Sequence, residues 1–265
     1  LIQPSLVLFH DVSTRALVRE RSSIEAGGTG VAVTTAMLLR QLFDQESSTY
    51  TYLVADERSG EAALIDPVRE HVERDLKLLT ELGLSLRYVL ETHVHADHVT
   101  AASLLRARTG ARTVAGRAGA PCADEHVSDG DEIRVGAIVV RTLETPGHTD
   151  DSLCFLVGDQ VFTGDTLFVR GTGRADFQNG DPDQLFESIT TKLFTLPDET
   201  VVYPGHDYRG HRSSTIGEEK RWNPRLAGRS REEFVTIMRN LDLPAPKKLA
   251  EAVPENRRCG APASA

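Results

Sequence analysis

The segment THVHADHV (residues 92–99) decides how the rest of this chain is read. It places His93, His95, Asp97 and His98 within six consecutive positions, directly after the short strand expected over LRYVLET (86–92). Residues two apart on an extended stretch point the same way, so His93 and His95 are expected to converge on one point. Asp97 and His98 are expected to open the following helix, from about His98 to Arg108 with Gly110 as its stop, and to face a neighbouring point. Imidazole and carboxylate together suit Zn, Fe or Mn. A solvated polar loop has no need to concentrate so many such groups.

Three other segments share one local grammar. RTLETPGH ends at His148, QVFTGD at Asp165 and VVYPGH at His206. In each an apolar strand run stops and a glycine (Gly147, Gly164, Gly205) precedes the potential ligand. Glycine permits strained backbone and close approach, and α/β folds place their sites beyond strand ends. His10, His71, His126 and His211 lie in polar or uninformative surroundings and are expected to be ordinary surface or satisfied histidines. Neither GxSxG, GxxxxGK nor GxGxxG occurs, which removes serine-nucleophile, P-loop and dinucleotide readings.

Outward from these motifs, hairpins are expected over 50–68, 131–145 and 152–165, each built of two apolar runs around a polar or glycine-bearing turn. Val72, Leu76 and Leu79 mark a helix ending near Gly83; Leu185, Ile189 and Leu193 mark one opened by Asp181-Pro182. TVVYP (200–204) reads as a strand, and Phe234, Ile237, Met238 and Leu241 as a last amphipathic helix. Hairpins and helices interleave without a break, which predicts one α/β domain over 37–265 with stacked sheets covered by helices. Residues 1–36 are expected to form a poorly ordered arm.

The chain has 265 residues, 40% hydrophobic and 26% charged, enough to close a sizeable core. A net charge of −9 without basic clusters argues against nucleic acid and anionic membrane as partners, and no apolar run approaches the roughly 18–20 residues that span a bilayer. Cys122, Cys154 and Cys259 stand far apart with no CxxC spacing. They are expected to be buried or incidental thiols rather than a disulfide framework or a thiolate zinc site.

THVHADHV, PGHT, TGDTLF and YPGHDY together resemble the motif series of the metallo-β-lactamase superfamily. The resemblance implies that superfamily's αβ/βα sandwich, two central mixed sheets flanked by helices, with metal held at the sheet ends. RGTGRADFQNGD (170–181), PGHDYRG (204–210), EEKRWNPRL (218–226), EEFVTIMRNLDLPAP (232–246) and AVPENRRCG (252–260) further resemble the persulfide dioxygenases. That likeness covers about residues 38–260. It implies one Fe(II) per chain held by His93, His148 and Asp165, a set that leaves an open face for O2 and substrate. His95, Asp97, His98 and His206 would then surround the ligands or outline a vestigial second metal position, with His95 and Tyr208 near the chemistry. Arg174 would hold an anionic substrate or brace the site. The implied reaction converts glutathione persulfide, O2 and water to sulfite and glutathione, in a homodimer located in the cytoplasm, or in the mitochondrial matrix of a eukaryote.

One departure stands out: PGHT is followed by Asp150-Asp151, where relatives often carry Pro-Gly. The alternative enzyme reading is a binuclear zinc thioester hydrolase of glyoxalase II type, which would also use Asp97, His98 and His206. A metal-binding module without turnover is the non-enzyme alternative.

Overall fold

The computed structural model describes residues 37–246 and 248–261; the expected arm at 1–36 lies outside them. The chain begins with β1 (Met37–Asp44), β2 (Thr49–Asp56) and β3 (Glu61–Ile65), followed by helix α1 (Val72–Glu81), β4 (Ser85–Leu90) and α2 (Ala102–Thr109). Next come β5 (Arg112–Gly116), β6 (Glu125–Val127), β7 (Glu132–Val135), β8 (Ile138–Glu144), β9 (Leu153–Val157) and β10 (Gln160–Gly164). The second half closes with α3 (Pro182–Ser188), β11 (Val201–Pro204), β12 (Ser214–Thr215), α4 (Ile216–Trp222), α5 (Arg231–Arg239) and α6 (Leu249–Asn256).

The strands form two mixed sheets of six, ordered β1-β2-β3-β4-β5-β6 and β12-β11-β10-β9-β8-β7. The expected hairpins are β2–β3, β7–β8 and β9–β10, all antiparallel. The pairs β3–β4, β4–β5 and β10–β11 are parallel, so their connections must cross over the sheet faces.

Strand β2 shows how the sequence builds layers, because it is buried along its whole length. Its alternate residues Tyr50, Tyr52 and Val54 meet Ile133, Val140, Phe155 and Phe162 in the core between the sheets. Leu53 and Ala55 point the other way, into a second core with Val72 and Leu79 of α1 and Leu105 of α2. A third core lies outside the other sheet, where Leu185, Ile189, Leu193 and Phe234 pack on Cys154, Val161 and Val202. Helix, sheet, sheet, helix is the sandwich the motifs imply, and both sheets deliver strand ends to one edge.

Two expectations need correction. Helix α2 starts at Ala102, leaving Asp97 and His98 in an irregular loop. The His98 carbonyl, which would accept the first helical hydrogen bond, instead accepts one from the Asn256 side chain at 2.8 Å, and the Ala102 N–H turns to Thr100 Oγ1 at 3.1 Å. Moreover, Cys122 and Cys259 form a disulfide, with Cα atoms 5.9 Å apart across 137 positions of sequence. The fold sets the turn after β5 beside the C-terminal tail, and such a meeting leaves no trace in local spacing. Cys154 is free and buried as expected; burial pushes its thiol up to about 11.

Candidate metal centre

Ligand atoms of His93, His148 and Asp165 all lie within 4.8 Å of one another. They come from the ends of β4, β8 and β10, which the sheet topology brings to the same edge. His148 Nε2 stands 3.5 Å from Asp165 Oδ2. Its Nδ1 lies 2.6 Å from the Arg174 carbonyl, which can only accept, so Nδ1 carries the proton and Nε2 keeps its lone pair. Asp165 Oδ1 is buried without a hydrogen-bond partner. A buried carboxylate oxygen left bare beside two imidazoles is costly unless a cation completes it. The donor set therefore fits a divalent ion, and two imidazoles with one carboxylate leave coordination positions open.

His93 and His95 do not converge as expected, although their rings stand 4.2 Å apart. His95 Nε2 faces two buried carboxylates, Asp66 at 3.2 Å and Glu91 at 3.3 Å. These carboxylates outweigh burial and raise the His95 imidazole well above its ordinary range. Burial drives His93 the other way, reinforced by His95 and His148, so its ring is held neutral.

A neighbouring position is outlined by His95, Asp97 and His98, whose ligand atoms again lie within 4.8 Å. His206 joins its border, with Nε2 at 3.5 Å from Asp165 and 3.6 Å from Asp97. Burial lowers His206, but the carboxylates of Asp165 and Asp97 raise it further. Asp97 is held well below the carboxylate range, its own burial overcome by His98 and His206. Thr49 Oγ1 knits the group, 3.0 Å from Asp97 Oδ2 and 3.4 Å from His98 Nδ1.

Tyr208 sits at the mouth, 71% exposed, its ring stacked on His206 at 5.8 Å with planes 3° apart. Partial burial and the carboxylates of Asp165, Asp97 and Asp207 raise its phenol, which therefore remains a proton donor. The Arg174 guanidinium is committed elsewhere. It donates to Asp176 at 2.6 and 2.7 Å and to the Pro244 carbonyl at 2.7 Å, and lies 4.5 Å from the Phe177 ring centre. It braces the turn whose carbonyl holds His148. Of the other histidines, His71 pairs with Asp44 at 2.9 Å and His126 reaches the Ala120 carbonyl at 3.1 Å, while His10 lies outside the described residues.

Residues to which the motifs assigned no role hold the 93–98 loop. Asn256 Nδ2 donates to the carbonyls of His95 at 2.9 Å and His98 at 2.8 Å, while its Oδ1 accepts from Thr100 N at 2.9 Å. Asp151, half of the unusual Asp-Asp pair, caps Val94 N at 2.8 Å; its carboxyl is raised by burial. Gln178 Nε2 donates to the Val94 carbonyl at 2.6 Å. A buried Asn, Asp or Gln facing the chemistry from afar was the available signal, and only three-dimensional placement identifies it. Of the flagged glycines, Gly147 is forced twice over: its φ is +139°, and a Cβ would fall 2.3 Å from Leu185 backbone atoms.

Comparison with known proteins agrees with this geometry. The metallo-β-lactamase superfamily model matches residues 45–206. The human protein named persulfide dioxygenase ETHE1, mitochondrial, is 47% identical over 246 residues, 92% of this chain and 95% of its own length. The crystal structure of ETHE1 from Myxococcus xanthus is 61% identical, with a TM-score of 0.84 over 85% of this chain and 100% of that one. A hydroxyacylglutathione hydrolase from a Methylobacterium strain is 40% identical over 161 residues, only 59% of this chain. By this superfamily match and by identities of 47% and 61% over most of its length, this chain belongs to the persulfide dioxygenase family of the metallo-β-lactamase superfamily.

Proposed function

We propose that the protein is a mononuclear Fe(II) persulfide dioxygenase that oxidises glutathione persulfide with O2 to sulfite and glutathione. The observation that carries this reading is the His93–His148–Asp165 cluster, whose Asp165 Oδ1 accepts no hydrogen bond, in a chain 47% identical to a named persulfide dioxygenase over nearly its whole length. When bound, the iron supplies the redox chemistry and the electrophilic centre at which a sulfur anion and O2 are brought together.

The protein's own residues orient and shield. His93, buried, and His148, partly buried, present ring nitrogens, and Asp165 adds the single carboxylate. Tyr208 offers a phenolic proton at the open side, where the oxidised sulfur develops negative charge. His95, Asp97, His98 and His206 set the field around the ligands, and Arg174 braces His148 through its own carbonyl. The likeness to the mitochondrial enzymes supports a matrix location in a eukaryote or a cytoplasmic one otherwise, and the family implies a homodimer, to be checked by sedimentation. Among the described residues, no helix is long and apolar enough to cross a membrane.

The test is direct. Purified protein analysed before any reconstitution is expected to hold one Fe per chain, and glutathione persulfide in an oxygen electrode is expected to draw down O2. Two Zn per chain with thioester hydrolysis and no oxygen uptake refutes the proposal in favour of a glyoxalase II-type hydrolase.

A further inference from the structure

The side chain of Thr92 lies at the junction of the two sheets, with hydrogen bonds in every direction it can make them. Its N–H donates to Asp66 Oδ1 at 2.7 Å, and its carbonyl accepts from Leu153 N, on the opposite sheet, at 2.7 Å. Its hydroxyl reaches Asp66 Oδ2 at 2.8 Å and His93 Nδ1 at 3.0 Å. Thr92 is 1% exposed and Asp66 2%, so water does not compete for these bonds.

A threonine hydroxyl has one proton to give. The hydroxyl gives that proton to Asp66 Oδ2, so its oxygen is left as an acceptor toward His93. A neutral imidazole facing an acceptor must place its proton there. We infer that Asp66, acting through the Thr92 hydroxyl, is a positioning residue for His93: it fixes the tautomer with the proton on Nδ1 and leaves Nε2 bare for the metal. His148 reaches the same state by the Arg174 carbonyl, so both imidazoles are set from behind by an acceptor. The relay rests on the metal-centre reading, not on the identity of the substrate.

Two features show that the geometry is built. Asp66 adopts φ +50°, a conformation that a non-glycine residue takes only when its surroundings compel it, and Thr51 Oγ1 holds its carbonyl at 2.9 Å. Gly164, the residue before ligand Asp165, has φ +47°, and a Cβ there would stand 2.6 Å from Thr92 Oγ1 and 2.7 Å from its Cβ. Thr92 thus packs between one ligand's ring and the backbone that presents another.

The test compares Thr92→Val, nearly the same shape without the hydroxyl, with Thr92→Ser, which keeps it. Fe(II) retention is measured anaerobically by chelator competition on the loaded protein, with no persulfide present. Thr92→Val is expected to lose roughly 10- to 100-fold in iron affinity, the usual effect of removing such a partner, and Thr92→Ser to recover most of it. Independently, long-range 15N–1H NMR of the unsubstituted zinc-loaded protein is expected to show the His93 proton on Nδ1, a readout that stands even if the valine variant does not fold. A His93 proton on Nε2, or iron held as tightly by a folded Thr92→Val as by the parent, overturns the relay. Both readouts are independent of oxygen uptake, so failure of the dioxygenase reading would be seen separately.

Discussion

Replacing Asn256 by alanine would cut the C-terminal helix away from the metal-bearing loop. The amide is 3% exposed and closes three hydrogen bonds, two donated to the carbonyls of His95 and His98 and one accepted from Thr100 N. Alanine leaves all three backbone groups facing a void. Each orphaned buried group costs about 1–3 kcal/mol, and water entering from the tail side relieves part of that, so about 3–5 kcal/mol is expected. For a domain of this size each kcal/mol moves Tm by roughly 2–4 °C, which predicts a drop of roughly 6–20 °C by calorimetry. Iron retention should fall in parallel, because the same bonds fix the path between His93 and His98. Asn256→Asp is the informative companion: it keeps the acceptor for Thr100 N but sets a carboxylate against two carbonyls, and is expected to be at least as damaging at neutral pH. An alanine variant that melts within about 2 °C of the parent, with unchanged iron content, refutes the view that the tail organises this loop.

His148→Ala should release the iron and end turnover together, and full iron occupancy in that variant contradicts the ligand assignment. His98→Ala, by contrast, should leave one iron per chain bound by metal analysis. Reducing the Cys122–Cys259 disulfide, which closes a loop spanning 137 positions, should lower unfolding stability by at most about 4–5 kcal/mol in the chain-entropy picture, read by urea titration with and without reductant. Asp44 is lowered from 3.8 to about 2: burial opposes its charge, but hydrogen bonds from Ser47 and the pairing with His71 prevail. Its contribution is complete above pH 4 and lost as pH falls through 2, so the stability gap between parent and Asp44→Asn should narrow across that window in denaturant titrations.

Much of the fold was legible because its signals are local. The β2–β3 turn at Glu57–Gly60, the 3.6-residue spacing of Val72, Leu76 and Leu79, and the Asp181-Pro182 helix start each act within a few residues of themselves. The ligands were legible for a related reason, since each stands at a strand end behind a glycine or inside one dense segment. What stayed hidden was non-local. Asn256 lies 161 residues from His95 and 158 from His98, and nothing near either announces the other. The displaced start of α2 has the same origin, because a distant side chain takes the carbonyl that the local pattern assigns to the helix. Cys122 and Cys259 were misjudged likewise: spacing reports on a shared turn, not on two distant segments folded together.

That disulfide also draws a covalent ring through residues 122–259, with His148, Asp165 and His206 inside it and the 93–98 segment outside. A protease cutting once anywhere within the ring would leave a single molecule with every metal-side group still attached. One cut between His98 and Cys122 would instead split the ligand set between two separable fragments, so the exposed end of α2 near Arg108 is the place where the chain has least insurance.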